Sequence, residues 1–222
     1  LFIEHKKYIG GRFSVLSEVG MLPSLFMGLN IKNFKINLLK KLKSVLPSIT
    51  KSVLELNQIT RYPKNYKTLI LLNYDERLMG FLEWLQQLIA ESLGKKNKGI
   101  LPVISSCPKD HHSLAQLYLD GPKDKFFYIF NLQDSFINLK ITNIFSQKFK
   151  FIARNKYRKI IQAQKNALIK NLEDKKIPYR IIDIPKINEK IIGQLFSYFM
   201  VEVFLLGKLM NIDPLNQPAV EQ

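Results

Sequence analysis

Residues 67–74 contain the run Thr68-Leu69-Ile70-Leu71-Leu72, apolar after its first residue at every position rather than at every second one. A strand with one face in water alternates apolar and polar side chains, so a short continuous run of this kind predicts a strand buried on both faces, as in a parallel sheet. Parallel neighbours cannot be joined by a tight turn and need a crossover, usually a helix. The next segment offers one. Asp75 can cap it, Leu78, Leu82, Leu85 and Ile89 recur at three- and four-residue steps along one stripe, and Gly94 offers a stop.

The same alternation continues. Residues 99–105, 125–131 and 179–183 read as further strands, the first of them also buried, with Gly121 and Pro122 making the turn before the second. Residues 110–119 suit a short helix, 158–175 a longer one, and 189–210 a long, largely buried one that ends before Pro214. Upstream, residues 38–56 form a helix with Leu38, Leu42, Val45, Ile49, Val53 and Leu56 on one stripe. Residues 8–16 are expected to end a short extended segment at the Gly10-Gly11 pair, with Gly20, Pro23 and Gly28 punctuating a passage from strand through loop to helix. Residues 135–158 are expected to be an inserted loop or hairpin. This order predicts an α/β fold, an open and mainly parallel sheet with helices on both faces, doubly wound, in a single domain over residues 1–222.

A chain of 222 residues that is 46% hydrophobic and 23% charged can bury a sizeable core. The longest apolar stretch, residues 195–206, is broken by Glu202 and falls short of the ~20 residues of a membrane span, so a buried helix and no membrane partner are expected. The chain opens on Leu1 with no charged-then-apolar leader, and it reads as a fragment without a signal peptide. Its one cysteine, Cys107, excludes an internal disulfide and a Cys-rich metal cluster; a structural role in a reducing cytoplasm is expected.

The net charge of +16 invites a polyanion partner. Most of the positive residues are scattered lysines, with six arginines, and the densest basic stretch, residues 148–165, also carries Phe149, Phe151, Tyr157 and Ile160. That pattern is a solvated helix face. With no zinc-finger spacing, RNP-type aromatic motif or GxxG loop, no nucleic-acid partner is expected.

Singly, the candidate functional residues are ambiguous. Gly10-Gly11-Arg12-Phe13-Ser14 is either a plain hairpin turn or a tight turn that brings backbone and a guanidinium up to an anion. Glu91, in a final helical turn, is either a solvated carboxylate or a base whose proton affinity the negative helix end raises. His111 and His112 could each shuttle a proton near neutral pH; with His5 the only other histidine, metal-ligand spacing is absent. Ser14, Ser105 and Ser106 lack the G-x-S-x-G setting of an exposed nucleophile.

The combination is more specific than its members. Gly-Gly-Arg-Phe-Ser and Ser17-Glu18-Val19-Gly20, then Glu-Ser-x-Gly-Lys at residues 91–95, His-Ser-x-x-Gln at residues 112–116, and Asn216-Gln217-Pro218-Ala219-Val220-Glu221 follow one another in order. In order and spacing this resembles the glucose-6-phosphate isomerases from about Tyr8 to the end of the chain. The first and last blocks look like that family's two signature regions, and the 21 residues from Glu91 to His112 are similar to the interval in compact bacterial members. The last block usually reads Asp-Gln-x-Gly-Val-Glu, so Asn216 and Ala219 are departures, as is the wording Cys107-Pro108-Lys109-Asp110-His111 before the histidine. The His-Ser pairing selects His112.

The resemblance implies the carboxy-terminal sugar-isomerase domain of an aldose-ketose isomerase of glycolysis and gluconeogenesis. Such enzymes interconvert glucose 6-phosphate and fructose 6-phosphate through a cis-enediolate, with no metal and no organic cofactor. Carried over by motif, Glu91 would move the proton, His112 would assist ring opening, Arg12 would face the enediolate oxygens, Gly11 would let backbone approach, and Gln217 would hold substrate. It implies a cytoplasmic homodimer in which the histidine reaches the partner's site. A Ser/Thr-rich phosphate loop before Leu1 and a lysine just beyond Gln222 would complete the machinery, so the chain alone is expected to be inactive. A regulatory sugar-phosphate-binding domain would keep the sheet but not Glu91, His112 and Arg12 together.

Overall fold

The computed structural model describes residues 2–6, 8–61, 63–134 and 156–220. Of the expected insert, residues 135–155 lie outside the described residues. The helices are α1 (Glu18–Phe26), α2 (Ile31–Lys35), α3 (Leu38–Thr60), α4 (Met79–Leu93), α5 (Lys109–Ser113), α6 (Ala115–Asp120), α7 (Tyr157–Asp174) and α8 (Glu189–Leu209). The strands β1 (Thr68–Asn73), β2 (Leu101–Ser106), β3 (Lys125–Leu132) and β4 (Tyr179–Ile184) are all parallel, in the order β2-β1-β3-β4.

The continuous apolar run of β1 has the predicted cause. Successive side chains point to opposite faces, so Leu69 and Leu71, with Phe126, Tyr128 and Phe130 of β3, enter a core shared with α3, α4 and α8. Ile70 and Leu72, with Phe127 and Ile129, enter a second core closed by Tyr118 of α6 and by Leu168 and Leu172 of α7. Helices therefore cover both faces, and the chain is wound outward from β1 in two directions, as expected. Each fully buried leucine or phenylalanine in these layers contributes about 1.5–3 kcal/mol of transfer free energy.

Several boundaries differ from the expectation for identifiable reasons. β2 is an edge strand, so it is only half buried, with Leu101 at 63% exposure. The helix expected at residues 110–119 is two, α5 and α6, parted at Leu114 (φ −123°). Asp75 caps a single 3-10 turn (Glu76–Leu78) leading into α4, its carboxylate accepting from the Arg77 amide at 3.1 Å. No strand ends at the Gly10-Gly11 pair: Gly11–Leu16 is a 3-10 helix, in which the Ser14 hydroxyl donates back to the Gly11 carbonyl at 2.7 Å. Gly20 lets α1 lie against this turn, because a Cβ there would stand 2.1 Å from the Val15 carbonyl oxygen.

By length and composition alone α8 could cross a membrane. Here it is a core helix: Phe199, Val203 and Leu206 are buried against the sheet, and buried Glu202 pairs with Arg180 of β4 and accepts from Ser52 of α3 at 2.8 Å.

Candidate active site

The α4 crossover runs antiparallel to the strands it joins, so its last turn lies at the amino-terminal edge of the sheet, next to the start of β2. Gln86 marks that alignment by donating to the Pro102 carbonyl at 2.9 Å. Glu91 stands in this last turn, half buried, and both carboxylate oxygens have donors. Gln87, one helical turn earlier on the same face, donates to Oε1 at 2.8 Å, and Arg12 Nη1 donates to Oε2 at 3.1 Å.

Arg12 comes from the 3-10 helix and is 3% exposed. A guanidinium is buried at tolerable cost only when its five donors find acceptors. Its Nε donates to the Ser92 hydroxyl at 2.9 Å, Nη1 also reaches Gln217 Oε1 at 3.5 Å, and Nη2 donates to the carbonyls of Pro214, Leu215 and Asn216 at 2.8, 3.0 and 2.9 Å. Trp84 of α4 fixes the Arg12 backbone through its indole N–H, 2.9 Å from the Arg12 carbonyl oxygen. Gly11 begins the same 3-10 helix, and a Cβ built on it meets no other atom within 4 Å, so the space over it is open.

Four of the five residues singled out from the sequence, Gly11, Arg12, Glu91 and Gln217, thus come from three distant stretches of the chain to one place. His112 does not join them. It is exposed on α5, beyond the carboxyl end of β2, and a six-residue strand separates the two edges by ~20 Å. Its neighbour His111 is turned inward, with Nε2 at 2.8 Å from the Tyr74 hydroxyl, and burial lowers its pKa from the ordinary 6.5 against the pull of Asp110. Asp110 anchors α5 by accepting from the Ser105 hydroxyl at 3.1 Å and the Ser106 amide at 2.8 Å. Carboxyl strand ends are the usual ligand crevice of such sheets, and a cavity of about 680 Å³ does lie there, between β1, β2 and β3. The Arg12 cluster is at the opposite edge.

Sequence reasoning missed Gln87, Ser92 and Trp84. Spacing could have found Gln87, one turn before Glu91 on the same helix face, whereas nothing in the spacing marks Ser92 or Trp84 as partners of Arg12. The departures at the terminal block also become intelligible. Residue 216 serves the cluster through its backbone carbonyl, so asparagine does what aspartate would, and Ala219 is not among the residues with positive φ.

The fold and this cluster define an open parallel α/β protein with a charged, hydrogen-bonded site on the amino-terminal edge of its sheet. No family model matches the chain. Over 96% of its length it is 34% identical to the glucose-6-phosphate isomerase of Methanocaldococcus jannaschii and 32% identical to that of Mycoplasmopsis pulmonis. Among solved structures, a hypothetical protein of Thermus thermophilus superposes on 97% of the chain with a TM-score of 0.83 at 26% identity, covering 54% of that protein. A glucose-6-phosphate isomerase from Chlamydia trachomatis has the same fold over 98% of the chain, with a TM-score of 0.77 at 17% identity and 46% of that protein covered. The chain is a relative of the glucose-6-phosphate isomerases. It spans about half the length of the curated relatives it matches, 54% and 51% for the two named.

Proposed function

We propose that this chain is the carboxy-terminal sugar-isomerase half of a glucose-6-phosphate isomerase and supplies the proton-transfer groups of that enzyme. The single observation that carries this reading is the convergence of Arg12, Glu91 and Gln217, with Arg12 Nη1 3.1 Å from the Glu91 carboxylate. Glu91 removes the proton from one of two adjacent sugar carbons and returns it to the other. Arg12 places fixed positive charge where the cis-enediolate oxygens develop, and such charge stabilises the transition state more than the substrate. Gln217 holds the sugar beside them, and the open space over Gly11 admits it. The reaction assigned here is a proton shift between carbons and uses no metal or organic cofactor.

His112, on the far edge of the sheet, serves a site on a second copy, where it assists ring opening; the working enzyme is then a cytoplasmic homodimer. Phosphate-holding groups are assigned to the half of the relatives' length that this chain does not span. Residues 1–222 alone are expected to give negligible turnover in either direction, and turnover comparable with a complete isomerase would refute that division of labour.

Mixing two inactive full-length variants tests the shared site. In heterodimers of Glu91→Gln and His112→Ala, one site receives both substitutions and the other receives neither, so random reassembly restores about a quarter of unmodified activity. No recovery on mixing would place His112 outside the partner's site and remove the dimer from the mechanism.

A further inference from the structure

Among the described residues beyond the end of α8, 210–220, the chain has no helix or strand to hold it, yet it must deliver Gln217 to the cluster. The amide of Leu215 bonds the Asp213 side chain at 3.0 Å, and the amide of Val220 bonds the Gln217 carbonyl at 3.0 Å. Four successive carbonyls, of residues 213–216, each accept from a cationic side chain. Carbonyl oxygens gathered in one place repel one another, and cations among them offset that repulsion. Arg12 supplies one cation, to residues 214, 215 and 216. Lys95 supplies the second: its ammonium donates to the Asp213 carbonyl at 2.6 Å and to the Asn216 carbonyl, the two ends of the same turn.

Lys95 is well placed for this. It follows Gly94, and the backbone doubles back through Lys96 and Asn97, both in the left-handed region, with reciprocal bonds between Lys95 and Lys98 at 3.1 and 2.9 Å. The lysine therefore leaves a rigid turn four residues after Glu91. We propose that Lys95 is a positioning residue that ties the base-bearing end of α4 to the turn carrying Gln217, so that both meet the sugar in fixed relation. This rests on the reading of the cluster as an isomerase site. A built-in control exists: Lys98 donates to the Met210 carbonyl at 2.7 Å, on the same connecting segment but upstream of the turn.

Two measurements test the proposal. In the full-length enzyme, Lys95→Ala is expected to lower kcat/KM by about 10-fold or more, because small misplacements of binding groups cost that much. Lys95→Arg should recover most of the loss and Lys98→Ala should stay within about 2-fold. Combining Lys95→Ala with Gln217→Ala should cost little more than Gln217→Ala alone, since the lysine acts through the glutamine. Independent, additive losses, or an equal loss in Lys98→Ala, would overturn the assignment. In residues 1–222 alone, hydrogen exchange of the Leu215 and Val220 amides should accelerate in Lys95→Ala and not in Lys98→Ala. Unchanged exchange would refute the clasp whatever the chain's activity, whereas a full-length protein without isomerase activity but with this exchange pattern would sink only the functional reading.

Discussion

Arg12 has the densest set of commitments of any side chain in the cluster, with every nitrogen of its guanidinium donating to protein oxygen. A lysine offers one point charge and cannot bridge Ser92, Glu91 and the 214–216 carbonyls at once. Arg12→Lys should therefore destabilise residues 1–222 by about 3 kcal/mol, the range for a buried charge network left partly unpaired, read as a lowered urea midpoint with unchanged slope. A wild-type midpoint would mean that the carbonyls hold their turn without it. His111 gives a second expectation. Its folded pKa lies below the unfolded 6.5, so the unfolded chain takes up the proton first, and stability is lost as pH falls below 6.5 toward the folded value. His111→Gln should flatten the stability profile over that window, and an unaltered profile would count against a buried neutral imidazole. At this scale the sequence was legible only in combination. Glu91 and Arg12 each admitted an ordinary reading, Gln217 entered only as part of the terminal block, and it was the order of these motifs along the chain that singled them out. Ser92 and Trp84 escaped because their hydrogen bonds to Arg12 join distant stretches of the chain and belong to the folded arrangement.

The elements were legible where periodicity is strong. The apolar run of β1 and the stripes of α3 and α4 reflect burial that any fold of this class imposes, and β3, β4, α7 and α8 fall within about two residues of their expected bounds, the usual uncertainty of helix and strand ends. The 3-10 helix at Gly11–Leu16 was not legible, because its conformation is set by the burial of Arg12 against α4 and the 213–217 segment rather than by local preference. Nor could the half-burial of β2 be read, since edge position is a property of strand order. One tertiary contact fastens the other edge: Arg180 of β4 donates to both oxygens of Glu202 on α8, to Oε1 at 2.5 Å and Oε2 at 3.0 Å, and lies 3.9 Å from the centroid of the Tyr128 ring. Glu202→Leu would strand that guanidinium and should cost about 3–5 kcal/mol, with Arg180→Leu added to it recovering a large part. Urea unfolding of the single and double variants decides it; if the single change is neutral, the pair does not hold the edge strand.

At the scale of the whole molecule, the sheet separates two chemistries. Its amino-terminal edge gathers acid, guanidinium and amide, and its carboxyl edge carries exposed His112 about one strand length away, ~20 Å. On the proposed reading that separation is functional, because pairing of two copies brings the far edge of one to the near edge of the other. On the proposed reading Glu91 carries the proton between the sugar carbons. That role is tested most directly by following deuterium from heavy water into the sugar phosphate in the full-length protein with Glu91→Gln. Exchange at the reacting carbons should be abolished while binding of glucose 6-phosphate is largely retained. Exchange continuing at the unmodified rate would contradict it.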